Sequence, residues 1–204
     1  TNLFPWVFNT VFIFMVLGAH GLEADRSARL NVIMIGVDTL RAGHLSCYGY
    51  NNQTTPAMDL LAGEGTTFEN AISQASWTLP SFTSVFTSKY TGEHGVTDPE
   101  KKLGSVTLTL AQFLLKKGYR TAAFESGPFF NSKYELDRGF STYSLTEASV
   151  PLARILPAVS GWLREQGGEP FFLFLHTLDV HAPYEPPRQF AHKFDKTYRG
   201  MVDR

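Results

Sequence analysis

Three largely apolar runs in the sequence are typical of strands in a buried sheet. Residues 31–38 read NVIMIGVD, residues 119–124 read YRTAAF and residues 170–176 read PFFLFLH. Short apolar runs bounded by turn residues are characteristic of strands in a parallel sheet. The first run ends on Asp38, which would lie at the carboxyl edge where open α/β sheets bind ligands.

Segments with helical signals separate these runs. Thr55 and Pro56 resemble the N-cap and the first position of a short helix, and residues 107–117 have apolar positions at helical spacing. Residues 150–166 are predicted to form a further helix before the third run. This alternation of helices and strands predicts an α/β fold with a mainly parallel central sheet.

The segment between the first two strands contains two further predicted elements. Residues 67–72 are predicted to form a strand, and residues 80–88 have the character of a helix start. Thr78 would then lie on the turn between them, a place where nucleophiles often occur. Residues 127–138 are predicted to be an irregular loop.

The amino-terminal region differs in composition from the rest of the chain. Residues 3–19 form an almost uninterrupted apolar run without a charged residue. Its length suits the core of an export signal better than a spanning helix, which needs about 20 apolar residues. We therefore assign residues 1–29 to a signal peptide or membrane anchor with a polar spacer, and residues 30–204 to a catalytic domain. Either assignment predicts an exported protein, with membrane attachment through residues 3–19 as one form.

Charge and cysteine content limit the possible partners. The chain of 204 residues has 18 Lys and Arg against 19 Asp and Glu, a net charge of −1. This balance argues against a nucleic-acid partner, which would require an excess of basic residues. Cys47 is the only cysteine, so no intrachain disulfide is possible and cysteine usage does not indicate the redox compartment.

Several polar residues lie where ligands could bind, although each has a structural alternative. Asp38 suits a hard metal cation, but an Asp at a strand end also caps helices. Thr78 precedes Leu-Pro and also suits an ordinary turn. His176 and His181 suit an oxyanion or a metal, with Asp179 between them as a ligand or a ring partner. The alternative is a polar loop whose histidines bond to backbone carbonyls, which for a single histidine is slightly favoured.

The ordered set of motifs resembles the sulfatase family of the alkaline phosphatase superfamily. Six segments carry this resemblance in family order: NVIMIGVDTLRAGHLSCYGY (31–50), TTPAMDLLAGEGTTFENAIS (54–73), WTLPSFTSVFTSKYTGEHGV (77–96), LAQFLLKKGYRTAAF (110–124), LDRGFSTY (136–143) and FFLFLHTLDVHAPYEPP (171–187). The resemblance implies a sulfatase-like α/β sandwich, incomplete in this chain. It also implies Asp38 as a metal ligand, Thr78 as nucleophile and metal ligand, His181 as a catalytic residue and His176 as a substrate contact.

The sequence departs from the sulfatase pattern at three places. Sulfatases convert a Cys or Ser nucleophile to formylglycine and carry an Arg four residues later, where this chain has Thr78 and Phe82. Asp38 is followed by Thr39 instead of a second acid, and Glu125 and Ser126 lie where a lysine is expected. A threonine nucleophile resembles instead the phosphodiesterases and the phosphoethanolamine or phosphoglycerol transferases of the superfamily.

The resemblance also implies a divalent metal and an ester substrate. Calcium is expected for a sulfatase, and manganese, magnesium or zinc for a phosphotransferase. The substrate would be a small-molecule, glycan or lipid ester. An Asp-His-Gly element that supplies further metal ligands in the family is absent from the sequence, so we expect a catalytic domain truncated at its carboxyl end. A sulfatase-like binding protein without activity is the third interpretation.

Overall fold

In the computed structural model, which describes residues 12–17, 29–147, 150–184, 186–187 and 189–190, the described strands form one sheet. Its order is β1-β2-β5-β3-β4. The strands are β1 (Phe12–Leu17), β2 (Asn31–Val37), β3 (Arg120–Ser126), β4 (Thr142–Thr146) and β5 (Phe171–Thr177). Strands β2, β3, β4 and β5 are parallel to one another, and β1 pairs antiparallel with β2 at the edge of the sheet. The prediction of a mainly parallel sheet is therefore confirmed.

The helices within the described residues lie between these strands in the chain. They are α1 (Pro56–Glu64), α2 (Thr78–Thr87), α3 (Thr91–His94), α4 (Leu110–Lys116) and α5 (Leu152–Arg164). The prediction of a helix after Thr55 is confirmed, with Pro56 at its first position and Gly65 at its end. Thr109 and Gln112 form a capping box that fixes the start of α4. The predicted helices at 107–117 and 150–166 are therefore present in shorter form.

Alternate side chains of the central strands point into two apolar layers. On one face, Phe172 and Phe174 of β5 pack against Phe82 and Phe86 of α2. On the other face, Leu173 and Leu175 pack in one cluster with residues of α5. All residues of β5 are buried because helices cover both faces, which explains its continuous apolar sequence. The chain is thus an α/β sandwich.

Two sequence predictions require correction. Residues 67–72 are not a strand: the segment forms no ladder with any strand that the structure describes, and Phe68 and Ile72 are 63% and 79% exposed. The apolar side chains that suggested a strand therefore lie on the surface. Thr78 is not on a turn before the helix but is the first residue of α2, with Trp77 as an extended N-cap. Strand β4 and helix α3 were not predicted.

The predicted signal or anchor lies largely outside the described residues. Of residues 1–29, the structure describes 12–17, whose backbone pairs with β2, and Arg29. Within the described part of the chain, none of the helices has both the length and the apolar character needed to cross a bilayer. The assignment of residues 1–29 stays a prediction.

Candidate active site

The carboxyl ends of the central parallel strands bring several polar residues together. Asp38 directly follows β2, and its backbone N–H extends the ladder to the carbonyl oxygen of Thr177 at 3.0 Å. His176 lies one residue before the end of β5, and Ser126 ends β3. These strands are adjacent and parallel, so their ends meet at the same edge of the sheet.

Thr78 reaches this edge from the amino terminus of α2. Its hydroxyl donates a hydrogen bond to Asp38 Oδ2 at 2.8 Å. The rest of the helix is anchored by its buried residues Leu79 and Phe82, so the first turn is held against the strand ends. The amino terminus of a helix carries partial positive charge and free N–H groups, which favour an anionic group there.

Asp38 is buried, with 4% of its surface exposed. Burial raises the pKa of the Asp38 carboxyl, but the nearby His176 ring, the hydrogen bond from Thr78 and the charge of His181 outweigh it. The net effect lowers the pKa of Asp38 below its ordinary value. Asp38 is therefore a carboxylate over the neutral pH range, available as an anionic ligand or proton acceptor.

His176 is fully buried beside Asp38, and its ring orientation is fixed. Its Nδ1 atom lies 3.0 Å from the carbonyl oxygen of Ser126. A carbonyl oxygen can only accept, so Nδ1 carries a proton. The Nε2 atom lies 3.5 Å from Asp38 Oδ2 and has no hydrogen-bond partner among the described residues. In a neutral ring, the Nε2 lone pair would face a carboxylate, so a proton or a cation between the two atoms would satisfy both.

Phe82, which stands where sulfatases carry an arginine, packs against His176 and Phe130. Its ring lies 5.0 Å from the His176 ring in an edge-on arrangement and 5.1 Å from the Phe130 ring. Gly36 on β2 makes room for it, because a Cβ there would lie 2.8 Å from Phe82 Cζ. The departure from the sulfatase pattern at position 82 is therefore accommodated by packing.

His181 follows β5 in a loop, and its Nδ1 donates to the carbonyl oxygen of Ala182 at 2.6 Å. This bond leaves Nε2 as the atom that can exchange a proton. Asp179 is oriented differently from either sequence interpretation. Its two carboxylate oxygens accept from the N–H of Leu152 at 3.2 and 3.3 Å, at the start of α5. Asp179 thus caps a helix.

A cavity of about 610 Å³ joins these residues. Its polar lining contains the four residues predicted from the sequence, namely Asp38, Thr78, His176 and His181, together with Ser126 and Asp179. The remainder is mostly apolar and includes Pro128, Phe129, Phe130, Val150, Pro151, Leu178 and Pro183. No lysine or arginine is present among the described residues that line it. The cavity can hold a small ester whose organic part contacts an apolar wall.

Sequence reasoning missed two contributors to the site. Ser126 was noted only as a departure from the family, yet its carbonyl sets the orientation of His176. Phe130 fell in a predicted irregular loop, yet its ring lies 4.4 Å from the His176 ring. The aromatic pair in the loop sequence GPFF was the available signal. Within the described residues no cluster of three or more His, Cys, Asp or Glu is arranged to hold a metal.

Comparison with known proteins places the chain in a family. The family model for Sulfatase matches residues 30–201. N-acetylglucosamine-6-O-sulfatase of Bacteroides thetaiotaomicron is 22% identical over 203 residues, which cover 86% of this chain and 35% of that protein. Arylsulfatase H of Homo sapiens is 32% identical over 108 residues, or 47% of this chain and 19% of that protein. The chain thus spans about a third or less of the length of these relatives.

Solved structures share the fold. A protein in complex with its substrate D-glucosamine-2-N,6-O-disulfate matches with a TM-score of 0.73 and 23% identity, over 83% of this chain and 38% of that one. Phosphonate monoester hydrolase of Agrobacterium radiobacter matches with a TM-score of 0.67 and 19% identity, over 78% of this chain and 42% of that one. The zinc complex of the C-terminal periplasmic domain of EcEptC from Escherichia coli matches with a TM-score of 0.58 and 16% identity. The match covers 83% of this chain and 50% of that one. The solved structures show the shared fold, and the family model, which matches residues 30–201, shows that this chain belongs to the sulfatase family.

Proposed function

We propose that the protein cleaves a sulfate or phosphate ester by transferring the sulfuryl or phosphoryl group to Thr78, with a divalent metal as cofactor. The observation that carries this proposal is the 2.8 Å hydrogen bond from Thr78 Oγ1 to Asp38 Oδ2. It places a hydroxyl, a carboxylate and the start of a helix in one cavity. Each of these groups has a defined task in such a transfer.

Thr78 supplies the nucleophile. Its hydroxyl proton leaves along the existing hydrogen bond to Asp38 Oδ2, and a bond forms between Oγ1 and the sulfur or phosphorus atom. The bond from that atom to the alcohol oxygen breaks. The first-turn N–H groups of α2 lie near the ester oxygens, where the helix dipole favours their negative charge.

His181 supplies the proton for the leaving alcohol. Its Nδ1 is engaged with the Ala182 carbonyl, so Nε2 is the atom that delivers the proton. In the second half of the reaction, water attacks the Thr78 ester and gives its proton to His181. Asp38 then returns its proton to Thr78 Oγ1, which restores both groups and releases sulfate or phosphate.

The residues present fit part of a metal site. The unpartnered Nε2 atom of His176 beside Asp38 supports a cation in this corner of the cavity. Asp38 and Thr78 would hold the metal, and both lie at the mouth of the sheet. A metal bound there would supply positive charge that favours the deprotonated hydroxyl and offsets charge on the ester oxygens. Two ligands are only part of the set that such cations require.

The identity of the ester separates two candidate functions. Family membership and the sulfatase relatives favour a sulfate ester. Phosphodiester cleavage or phosphotransfer is favoured by Thr78, which cannot become formylglycine, and by Phe82 in place of an arginine. The fold also occurs in a phosphonate monoester hydrolase and in a zinc-bound periplasmic domain. Zinc, manganese or magnesium would suit the phosphorus chemistry, and calcium the sulfur chemistry.

Assays of the intact protein with an aryl sulfate and a bis-aryl phosphodiester test the proposal. We expect turnover of one of them, lost in Thr78→Ala and partly retained in Thr78→Ser, which keeps a hydroxyl. Acid quenching during turnover should leave a sulfuryl or phosphoryl group on the peptide that contains Thr78. Full activity of Thr78→Ala would contradict the mechanism in which Thr78 is the nucleophile.

We further propose an exported protein that acts on a small-molecule, glycan or lipid ester. The apolar run at residues 3–19 supports export, and two relatives or neighbours are described as a glucosamine sulfatase and as a protein bound to a glucosamine disulfate. Cell fractionation followed by amino-terminal sequencing of the mature protein would test it. Recovery of the unprocessed protein from the cytoplasm would contradict export.

A further inference from the structure

Glu125 is a fully buried acid in the middle of the sheet. It lies on β3 with 0% of its surface exposed. Glu125 and His176 each lie two residues beyond the register pair Ala123–Phe174, so their side chains lie on the same face of the sheet, which α2 covers. No ion pair to Glu125 is found within the described residues. An unpaired carboxylate in such a place would be very costly to bury.

The hydrogen bonds of Tyr143 decide which form Glu125 takes. The Tyr143 hydroxyl lies within hydrogen-bond distance of Glu125 Oε2 and of the Phe130 carbonyl oxygen. A phenol has one proton, and a carbonyl oxygen can only accept. Tyr143 must therefore donate to Phe130, and the proton between Tyr143 and Glu125 must come from the acid. Burial raises the pKa of Tyr143, so the phenol keeps its own proton.

The chain of hydrogen bonds ends at the wall of the candidate active site. Phe130 closes a short turn after β3, and Pro128, Phe129 and Phe130 all line the cavity. The Phe130 ring lies 4.4 Å from the His176 ring, and His176 borders Asp38. The position of the Phe130 backbone therefore affects both the cavity wall and the histidine beside the carboxylate.

We propose that Glu125 is a positioning residue: a buried, neutral carboxylic acid that donates to Tyr143 and thereby holds the Phe130 turn against His176. Its effect on catalysis rests on the proposed function, whereas its protonation does not. Other titratable groups near it come from three elements: Tyr143 on β4, His176 on β5 and Asp137 in the loop before β4. The segment of α2 that packs on this face has no titratable side chain.

The first experiment compares wild type with Glu125→Gln by urea unfolding of the intact protein at about pH 5 and about pH 8. The unfolded chain releases the Glu125 proton above the ordinary pKa of 4.5, whereas the folded protein keeps it because burial raises the pKa well above that value. The stability that the protonated Glu125 contributes to the folded protein is therefore complete below pH 4.5 and is lost as the pH rises above that value. The amide of Gln donates to Tyr143 without this penalty.

We expect the folding equilibrium constant of wild type to fall relative to Glu125→Gln by up to about tenfold per pH unit over this range. Glu169→Gln, which changes an exposed glutamate, is the matched control and should behave as wild type. An unchanged pH dependence in Glu125→Gln, or a loss of stability at the higher pH, would show an ionised Glu125 and overturn the proposal.

The second experiment tests positioning by hydrogen exchange and by kinetics. Glu125→Leu and Tyr143→Phe each interrupt the chain, so amides of residues 129–131 should exchange several-fold faster in both variants. Glu125→Gln should retain wild-type exchange and, with an active substrate, the wild-type kcat that Glu125→Leu loses. Equal behaviour of Glu125→Gln and Glu125→Leu would contradict the proposal. Exchange does not need activity, so a failure of the proposed function would be recognised separately.

Discussion

Gly36 and Phe82 are complementary in shape. A Cβ atom at position 36 would lie 2.8 Å from Phe82 Cζ and 3.4 Å from His176 Cδ2. The aromatic ring cannot move away easily, because Phe130 and Phe174 pack against it at 5.1 and 5.7 Å between ring centroids. The glycine in β2 thus allows α2 to approach the sheet, and this approach places Thr78 beside Asp38.

We expect Gly36→Ala to destabilise the protein by about 1–3 kcal/mol, because overpacking forces the ring or the helix to shift. Urea unfolding of the intact protein measures this loss. Combining Gly36→Ala with Phe82→Leu should restore part of the lost stability, because leucine is smaller than phenylalanine and leaves room for the new methyl group. Strictly additive effects of the two changes would contradict direct contact between these positions.

Phe82→Arg should fail to create a sulfatase-like site. Phe82 is 1% exposed among aromatic rings, so a guanidinium at this position would be buried in apolar surroundings. We expect destabilisation on the order of 3–5 kcal/mol, similar to the effect of leaving a buried charge uncompensated. Phe82→Leu, which changes size without adding charge, is the control. A stable Phe82→Arg variant with increased sulfatase activity would show that the pocket tolerates the charge.

We expect the buried His94 to cause a loss of stability at mildly acidic pH. It is buried, and its Nδ1 accepts the N–H of Val96 at 3.0 Å while Nε2 lies 3.0 Å from Ser84 Oγ. Burial lowers the pKa of His94 below 6.5, partly offset by its contact with the Pro80 backbone. As the pH falls, His94 is therefore protonated at a higher pH in the unfolded chain than in the folded protein. The stability that His94 contributes is complete above pH 6.5 and is lost as the pH falls below that value.

Thermal unfolding from about pH 7.5 to about pH 5 would measure this effect. His94→Gln cannot take up the proton and should show a smaller decline over the same range. His44, an exposed histidine, provides the control variant His44→Gln, which should keep the wild-type dependence. If His94→Gln declined as steeply as wild type, His94 would not be the group responsible.

Metal removal should abolish activity, because the proposed reaction needs positive charge beside Asp38 and Thr78. We expect a chelator to inactivate the intact protein and one of calcium, magnesium, manganese or zinc to restore it. Calorimetric titration should detect metal binding that weakens at least tenfold in Asp38→Asn, which keeps the shape but removes the charge. Asp98→Asn, which removes an exposed carboxylate outside the cavity, is the control. Absence of Asp38-dependent binding would favour a non-catalytic sulfatase-like protein.

His181→Asn should slow the reaction according to the leaving group. General acid catalysis contributes typically about 10²–10⁴-fold, and it matters most when the departing alcohol is a poor leaving group. We therefore expect a large loss of kcat with an alkyl or phenyl ester and a small one with a nitrophenyl ester. Equal losses with all esters would indicate that His181 contacts the substrate without delivering the proton.

The strands β2 and β5, which carry Asp38 and His176 at their carboxyl ends, were predictable because each is a continuous apolar run, and such a run is a property of the local sequence. The same local reasoning failed for residues 67–72. A strand requires a partner, and the pattern of one segment does not reveal whether another segment lies beside it. Strand β4 was missed for the same reason, since its pairing with β3 depends on the fold.

The sequence by itself determined the family, the α/β class and the residues Asp38, Thr78, His176 and His181 as candidates, because motifs and hydrophobic runs are local properties of the chain. The tertiary structure decided that these four residues line one cavity. It also decided that Phe82 packs over Gly36 and that Glu125 meets Tyr143, 18 residues away in the chain. Such contacts join separate strands and helices, so their energies depend on packing that no single segment specifies.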